Sequence, residues 1–311
     1  MPDIVSLGEA MYEFSQLPGE ERRWLQGFGG DTMNAALAAA RQGASVAYVT
    51  LLGDDEFGRQ MLALWRDEGL DVSGVGIHPQ AHTAVYFISH GPSGHVFSYL
   101  RAGSAASRMR PADLPLDLIR GARFFHASGI SQAISASACD TVFAAMEAVR
   151  AAGGQVAYDT NLRLRLWPLP RARAVIAASI AMSDLLFISV EEGEQLCSTT
   201  DPDAILGWCH ERGARRVALK LGPRGAIGSD GVRRELVPGH AVNAVDATGA
   251  GDCFAGSLLA RLAAGDAFWE AIAYANAAAA LTCTGYGAVA PLPRPADVRR
   301  LLSGGAAFRA G

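Results

Sequence analysis

Short apolar runs rich in β-branched and aromatic residues alternate with alanine-rich runs of helical period along most of the chain. "DIVSLGE" is followed by "MNAALAAARQG", "SVAYVTLLG" by "FGRQMLALWRDEG", and "ARFFHASG" by "CDTVFAAMEAVRAAG"; "GQVAYDT", "DLLFISV" and "RRVALKLG" continue the series. The strand runs are nearly continuous in apolar residues, so both of their faces need cover. This predicts an α/β fold in which a central, mostly parallel sheet is flanked by helices on both faces. In such sheets ligands collect beyond the carboxyl ends of the strands.

One region breaks the pattern. "TAVYFISHGPSGHVFSYLR" holds two alternating runs around a Gly-Pro-Ser-Gly turn and no helix, which reads as a hairpin. With the loop at Gly91 to Gly94 and His90 opposite His95, Tyr86 falls opposite Tyr99 and Ala84 opposite Arg101. Tyr86, Tyr99 and Arg101 then share one face. Together with an excursion around "YEFSQLPGEERRWLQGF", the hairpin predicts a small β-sheet lid over approximately residues 12–28 and 82–102 of a single domain spanning 1–311. An antiparallel extension of the main sheet accounts for the same pattern.

Composition narrows the partners. The 311 residues are half hydrophobic, and the net charge of −4 comes without a basic block, so the long-range field that nucleic-acid binding relies on is missing. A small molecule is the expected partner. No window reaches the ~18 apolar residues of a membrane span, and the start of the chain lacks a charged segment followed by an apolar one. The five scattered cysteines include no CxxC pair, which argues against a disulfide framework or zinc site and fits a reducing cytoplasm. An exposed lid edge would favour a homo-oligomer. Lys220 is the single lysine among 27 basic residues.

Two stretches offer chemistry. In "DATGAGDCFAGSLLARL", Gly249, Ala250 and Gly251 open a helix, where small residues let backbone N–H groups approach an anion and the macrodipole favours it. Asp252 would stand beside a bound phosphate, able to orient a substrate hydroxyl and take its proton. A plain glycine turn with Asp252 as a helix-capping acid is the competing reading. In "GFGGDTMNAALAAARQG", Gly29, Gly30 and Asp31 precede a helix with Asn34 on its first turn, where a sugar could lie against the backbone and bond to Asn34. Asp31 or Thr32 as an N-cap explains that stretch equally well. His78 and His82 flank Pro79, which disfavours a helical metal pair.

These two stretches, in this order, resemble the signatures of the ribokinase-like (PfkB) carbohydrate kinases. The resemblance covers nearly the whole chain and implies a ribokinase-like fold with ATP-dependent phosphorylation of a sugar hydroxyl. It makes Asp252 the catalytic base and Gly249, Ala250 and Gly251 the anion hole. It also implies ATP and Mg²⁺ as cofactors, with a monovalent cation such as K⁺ as a further candidate. No GxxxxGK[ST] loop is present; "LKLGPRGA" resembles the strand and turn leading to the family's nucleotide site, which implies Gly222 and Gly225 as ATP neighbours and Lys220 as either a phosphate contact or a solvated or structural lysine. Asn276, in "YANAAAALTCTG", matches a helix lining the adenine pocket. "ISVEEGEQL" sits where relatives carry Asn-x-x-Glu; Ser189 replaces the asparagine, and Glu192 is left as an outer-shell magnesium ligand.

A sugar acid would bring a carboxylate that guanidinium groups hold in bidentate fashion. Arg101 on the lid face and Arg163 beyond "VAYDTN" are so placed, with Arg165 an alternative to Arg163. "YLRAGSAAS" and "YDTNLRLRLWP" resemble the 2-keto-3-deoxygluconate kinase branch, in which the residues matching Tyr99, Arg101 and Arg163 engage the keto acid. The expectation is therefore phosphorylation of the 6-hydroxyl of 2-keto-3-deoxygluconate, with Gly30, Asp31, Asn34 and Tyr86 completing the sugar site. A fructokinase or ribokinase acting on a neutral sugar, and a non-catalytic sugar or nucleotide sensor, are the alternatives.

Overall fold

The computed structural model describes residues 1–17, 19–91 and 94–304. Its strands, numbered in chain order, are β1 (Ile4–Leu7), β2 (Met11–Leu17), β3 (Glu20–Gly29), β4 (Val46–Gly53), β5 (Val75–His78), β6 (Ala84–Gly91), β7 (Gly94–Leu100), β8 (Phe124–Ser128), β9 (Gln155–Asp159), β10 (Leu185–Ser189), β11 (Arg216–Lys220), β12 (Gly225–Ser229) and β13 (Arg234–Pro238). Nine of them form one sheet in the order β13-β12-β11-β10-β9-β8-β1-β4-β5. The pairings from β11 across to β5 are parallel, and β12 and β13 add an antiparallel edge.

The two-sided cover expected of apolar parallel strands is visible residue by residue. Ile4, Tyr48, Phe124 and Phe187 belong to one buried cluster. Their neighbours Val5, Val49, Phe125 and Ile188 belong to another on the opposite face. Successive side chains point to opposite faces, so one short strand feeds two cores.

The smaller sheet has the order β3-β2-β6-β7. Its hairpin register places Tyr86 opposite Tyr99 and His90 opposite His95, as the alternation predicts. Pro92 and Ser93 of the turn lie outside the described residues. Arg101 follows the end of β7 at Leu100, so its expected pairing with Ala84 is not formed as a strand pair.

The Asp31–Arg41 helix buries every residue from Thr32 through Ala39. A helix covered all round must be enclosed by neighbours, and its alanines let the Ala250–Ala263 helix come close. The two helices approach tightly at Gly256, where a Cβ would lie 2.8 Å from the Ala35 carbonyl carbon and nearer still to its oxygen. Gly256 is one turn beyond Asp252 and Ala35 adjoins Asn34, so this backbone contact brings the two sequence signatures together. No helix among the described residues is long and apolar enough to cross a membrane, and all five cysteines are free thiols.

Candidate active site

The Ala250–Ala263 helix begins at Gly249, whose φ of 76° is left-handed and whose missing Cβ would sit 3.0 Å from Ala288 Cα. Only glycine meets both demands. The preceding loop is pinned from two sides. Asp246 Oδ1 accepts the Thr248 amide and hydroxyl at 2.9 and 2.7 Å, and its Oδ2 accepts the Gly287 amide at 2.9 Å. The Cys283 carbonyl accepts the amides of Val245 (2.7 Å) and Asp246 (3.2 Å). The first four N–H groups of a helix lack helical partners. Here Ala250 N reaches the Ala247 carbonyl and Cys253 N the Gly249 carbonyl, which leaves the amides of Gly251 and Asp252 to face a ligand.

Asp252 Oδ2 accepts a hydrogen bond from Asn34 Nδ2 at 2.8 Å across 218 residues of sequence. Burial pushes the Asp252 carboxyl up to about 7, and the nearby charges of Asp31 and Asp159 add to the rise; Asn34 and Lys220 oppose it. Asp31 Oδ2 accepts from Asn161 Nδ2 at 2.8 Å. Asp31 Oδ1 and Asn34 Oδ1 are buried acceptors without a hydrogen-bond partner among the described residues, so both can receive substrate hydroxyl protons.

Lys220, expected near ATP, holds Asp159 at 2.9 and 3.2 Å. Burial alone would lower its pKa, but the Asp159 and Glu192 carboxylates outweigh burial and raise it. Asp159 itself is lifted by burial to about 6 despite that pairing. The ammonium still borders the start of the Ala250–Ala263 helix, 3.6 Å from where a Gly251 Cβ would stand.

The smaller sheet closes the other side. The Tyr86 hydroxyl donates to Glu13, and its ring fills the space of a Gly29 Cβ, 2.9 Å from Cε1 and Cζ. Tyr99 stacks on Tyr86 with centroids 5.9 Å apart, and the Arg101 guanidinium lies 5.7 Å from the Tyr99 centroid; the three share a face as expected. Glu9 offsets the Arg101 charge, accepting from Nε at 2.8 Å with Nη2 2.6 Å away, while Nη2 remains a buried donor without a hydrogen-bond partner among the described residues. Ser104 donates its hydroxyl to the other Glu9 oxygen. Gly30, at φ 120°, passes so close to the Glu9 backbone that its Cβ would sit 3.0 Å from Ala10 Cα. Arg163 is exposed and donates to the carbonyl of its neighbour Leu162 at 3.0 Å; Arg165 is exposed as well.

A cleft of about 620 Å³ opens beside the start of the Ala250–Ala263 helix and is lined by Lys220, Gly222, Gly225, His240, Gly251 and Asn276 among others. Gly225 has φ 98°, and a Cβ there would lie 2.6 Å from the Pro238 carbonyl carbon, so this wall must be bare backbone. Asn276 is buried and donates to the carbonyls of Val237 (2.9 Å) and Pro238 (3.3 Å). It thereby fixes the β13 edge of the cleft.

Glu192 lies outside that lining. Its Oε1 accepts the Leu162 amide, and its Oε2 accepts the Thr160 hydroxyl and the Ser189 amide, all at 2.8 to 2.9 Å. Ser189 returns the contact from the Glu192 amide, completing a capping box. No group of three or more His, Cys, Asp or Glu side chains among the described residues forms a metal cage.

Sequence reasoning did not single out Glu9, Glu13, Asp159, Asp246, His126 or His240. For Glu9 and Asp159 a signal existed, since both lie at or just past the carboxyl end of a central strand, where ligands gather.

A bare helix start beside a buried carboxyl, in an α/β fold with a second small sheet, is the setting of a phosphotransferase of the sugar-kinase class. The chain belongs to the pfkB family of carbohydrate kinases, whose family model matches residues 1–295. It is 34% identical over 316 residues to Fructokinase-1 of Oryza sativa subsp. japonica, covering 96% of this chain and 97% of that protein. It is 32% identical over 320 residues to Probable fructokinase-5 of Arabidopsis thaliana, with 97% of each covered. Among solved structures it superposes on the PfkB protein from Polaromonas sp. JS666 with a TM-score of 0.87 at 30% identity, covering 96% of this chain and 99% of that one. A fructokinase with bound ATP from Xylella fastidiosa gives a TM-score of 0.89 at 25% identity, covering 98% and 99%. The chain is thus similar to fructokinases, whereas the sugar-acid branch expected from "YLRAGSAAS" is not among these relatives.

Proposed function

We propose that the protein transfers the terminal phosphoryl group of ATP to a hydroxyl of a neutral ketohexose, with fructose as the first candidate. The observation that carries the choice of acceptor is the pairing of Arg101 with buried Glu9. It offsets the cation that a sugar acid would need, and the acids Glu13, Asp31, Asp159 and Asp252 outnumber the remaining cation Lys220 among the groups around the site. A carboxylate brought among these acids would be repelled, whereas hydroxyl groups donate to them readily. The fructokinases among the relatives support the same acceptor.

In this reading Asn34 orients Asp252, and Asp252 takes the proton of the attacking hydroxyl. A base with a pKa near neutrality is well matched to that task. The Gly251 and Asp252 amides receive the charge of the transferring phosphoryl group, preorganised by the Asp246 and Cys283 anchors. Bound magnesium would neutralise phosphate charge and align the leaving group. Gly222, Gly225 and Asn276 shape the nucleotide cleft, and Lys220 screens the phosphates while remaining paired with Asp159.

A second reading, phosphorylation of 2-keto-3-deoxygluconate, is favoured by the Tyr86–Tyr99–Arg101 stack and by the exposed Arg163 guanidinium. A coupled ADP-release assay with fructose, ribose and 2-keto-3-deoxygluconate separates the two. Turnover of fructose in preference to the keto acid is expected; turnover of the keto acid alone would overturn the neutral-sugar reading. Ligand-induced thermal stabilisation with no ADP release from any acceptor would indicate a sensor instead.

A further inference from the structure

Two non-glycine residues among the described residues have positive φ. Ser198, at 62°, ends the Val190–Cys197 helix in a left-handed cap of a common kind. Asn161, at 29°, ends no helix and lies just past the carboxyl end of β9 at Asp159. Such backbone persists only where the surroundings impose it. What imposes it is Glu192. Its Oε2 accepts the Thr160 hydroxyl at 2.9 Å and its Oε1 accepts the Leu162 amide at 2.8 Å, so one carboxylate grips the residues on either side of Asn161. The Thr160 amide is tied to the Phe187 carbonyl at 3.0 Å, and the Asn161 amide donates to Asp159 Oδ1 at 3.2 Å. Gly129 backs the turn so closely that a Cβ there would lie 3.3 Å from the Thr160 carbonyl carbon.

The turn serves a side chain. Asn161 is 7% exposed, and its Nδ2 reaches across 130 residues of sequence to donate to Asp31 Oδ2 at 2.8 Å. With Oδ2 held, the orphaned Oδ1 of Asp31 is left as the free acceptor in a fixed orientation, beside the narrow crevice that Asp31 shares with Asp252. A carboxylate offers about four lone-pair sites. Thr160 and Leu162 fill two of those on Glu192 and the Ser189 amide a third, so Glu192 is engaged largely with this loop.

We propose that Glu192 is a positioning residue on the acceptor side of the site: by gripping Thr160 and Leu162 it holds Asn161 where its amide fixes Asp31 to receive an acceptor hydroxyl. The inference rests on the kinase reading, in which Asp31 meets the acceptor. Without the grip the turn relaxes toward an ordinary negative φ, the Asn161 amide leaves Asp31, and that carboxylate is free to turn. Acceptor binding weakens, while the nucleotide cleft keeps the Gly222, Gly225 and Asn276 walls that shape it.

The test compares the full-length parent with its variants, using whichever of fructose and 2-keto-3-deoxygluconate the parent turns over. Glu192→Gln is expected to raise KM for the acceptor about tenfold, the weight of one hydrogen bond to a charged group, with KM for ATP and the Mg²⁺ requirement unchanged. Glu192 also acts by charge on Asp159 and Lys220. Thr160→Val, which removes one arm of the grip and no charge, is therefore expected to move the acceptor KM in the same direction. Asn161→Gly tolerates the turn but lacks the amide; it should raise that KM as much as Glu192→Gln does, and the double variant no further. Ser189→Ala weakens the helix cap, leaves both arms in place and should keep the acceptor KM of the parent. Equal rises for acceptor and ATP, a raised Mg²⁺ requirement, additive effects in the double variant, or an unchanged acceptor KM in Thr160→Val overturn the proposal. If Glu192→Gln fails to fold, Thr160→Val decides. If the parent turns over neither acceptor, the kinase reading falls and calorimetric titration of the same two acceptors carries the comparison; absence of binding to both overturns the two readings together.

Discussion

Gly256→Ala tests whether the crossing of two helices sets the catalytic geometry. The added Cβ would stand 2.8 Å from the Ala35 carbonyl carbon, whereas ordinary carbon–carbon contact begins near ~3.5 Å. Both partners are backbone, so no side chain can swing aside. The helices must part by roughly 1 Å once the still closer carbonyl oxygen is cleared. One turn away, the 2.8 Å bond between Asn34 and Asp252 would stretch beyond the upper end of the hydrogen-bond range, about 3.2 Å. Overpacking costs about 1–3 kcal/mol, and replacing a helical glycine returns about 1 kcal/mol. The expected loss in Tm is therefore a few degrees, at roughly 2–4 °C per kcal/mol for a chain of this size class. Misplacing a catalytic group by about 1 Å costs on the order of a hundredfold in rate. Thermal denaturation together with steady-state kinetics reads both quantities. A folded variant with kcat within about twofold of the parent would show that helix spacing does not govern the Asn34–Asp252 contact.

Four further expectations concern Asp252, Lys220 and Ser189. Because Asp252 is held up to about 7, kcat/KM should fall about tenfold per pH unit below that value; a flat profile down to the ordinary carboxylate range would refute it. The native value lies above the unfolded one, so the charged form destabilises the fold. This penalty is absent below the unfolded pKa and complete above about 7, so Asp252→Asn should raise Tm at alkaline pH while abolishing turnover. Lys220→Met strands Asp159 and should cost about 3–5 kcal/mol. It should also move the acid limb upward, since Lys220 lowers the Asp252 pKa; adding Asp159→Asn should recover most of the stability. Ser189→Ala removes one half of the capping box and should cost about 1 kcal/mol in a denaturant titration.

The main sheet and its flanking helices were legible because nearly continuous apolar strands such as "DLLFISV" permit no other arrangement. The Tyr86–Tyr99 register was legible because a short turn fixes the alternation on both sides of it. Charge pairing was not. Arg101 reads as a free guanidinium until Glu9 appears beside it, and nothing near Lys220 in the sequence announces its pairing with Asp159. Each partnership joins distant segments and leaves no local pattern. Glu192 shows the converse: its spacing from Ser189 is visible in the sequence, but that spacing also specifies a helix cap, and the cap is what forms. Gly256 lies within the quoted "DATGAGDCFAGSLLARL" stretch, yet its packing constraint is not readable there, because it comes from a helix at the other end of the chain.

That separation bears on biogenesis. On the ribosome, the alanine face of the Asp31–Arg41 helix emerges long before the Ala250–Ala263 helix that covers it. Until then the nascent chain displays an uncovered apolar stripe of the kind that recruits chaperones or leads to aggregation. The long sequence span closed by this contact further predicts that docking of these helices comes late in folding, so competence to react arises only after most of the sheet has been assembled.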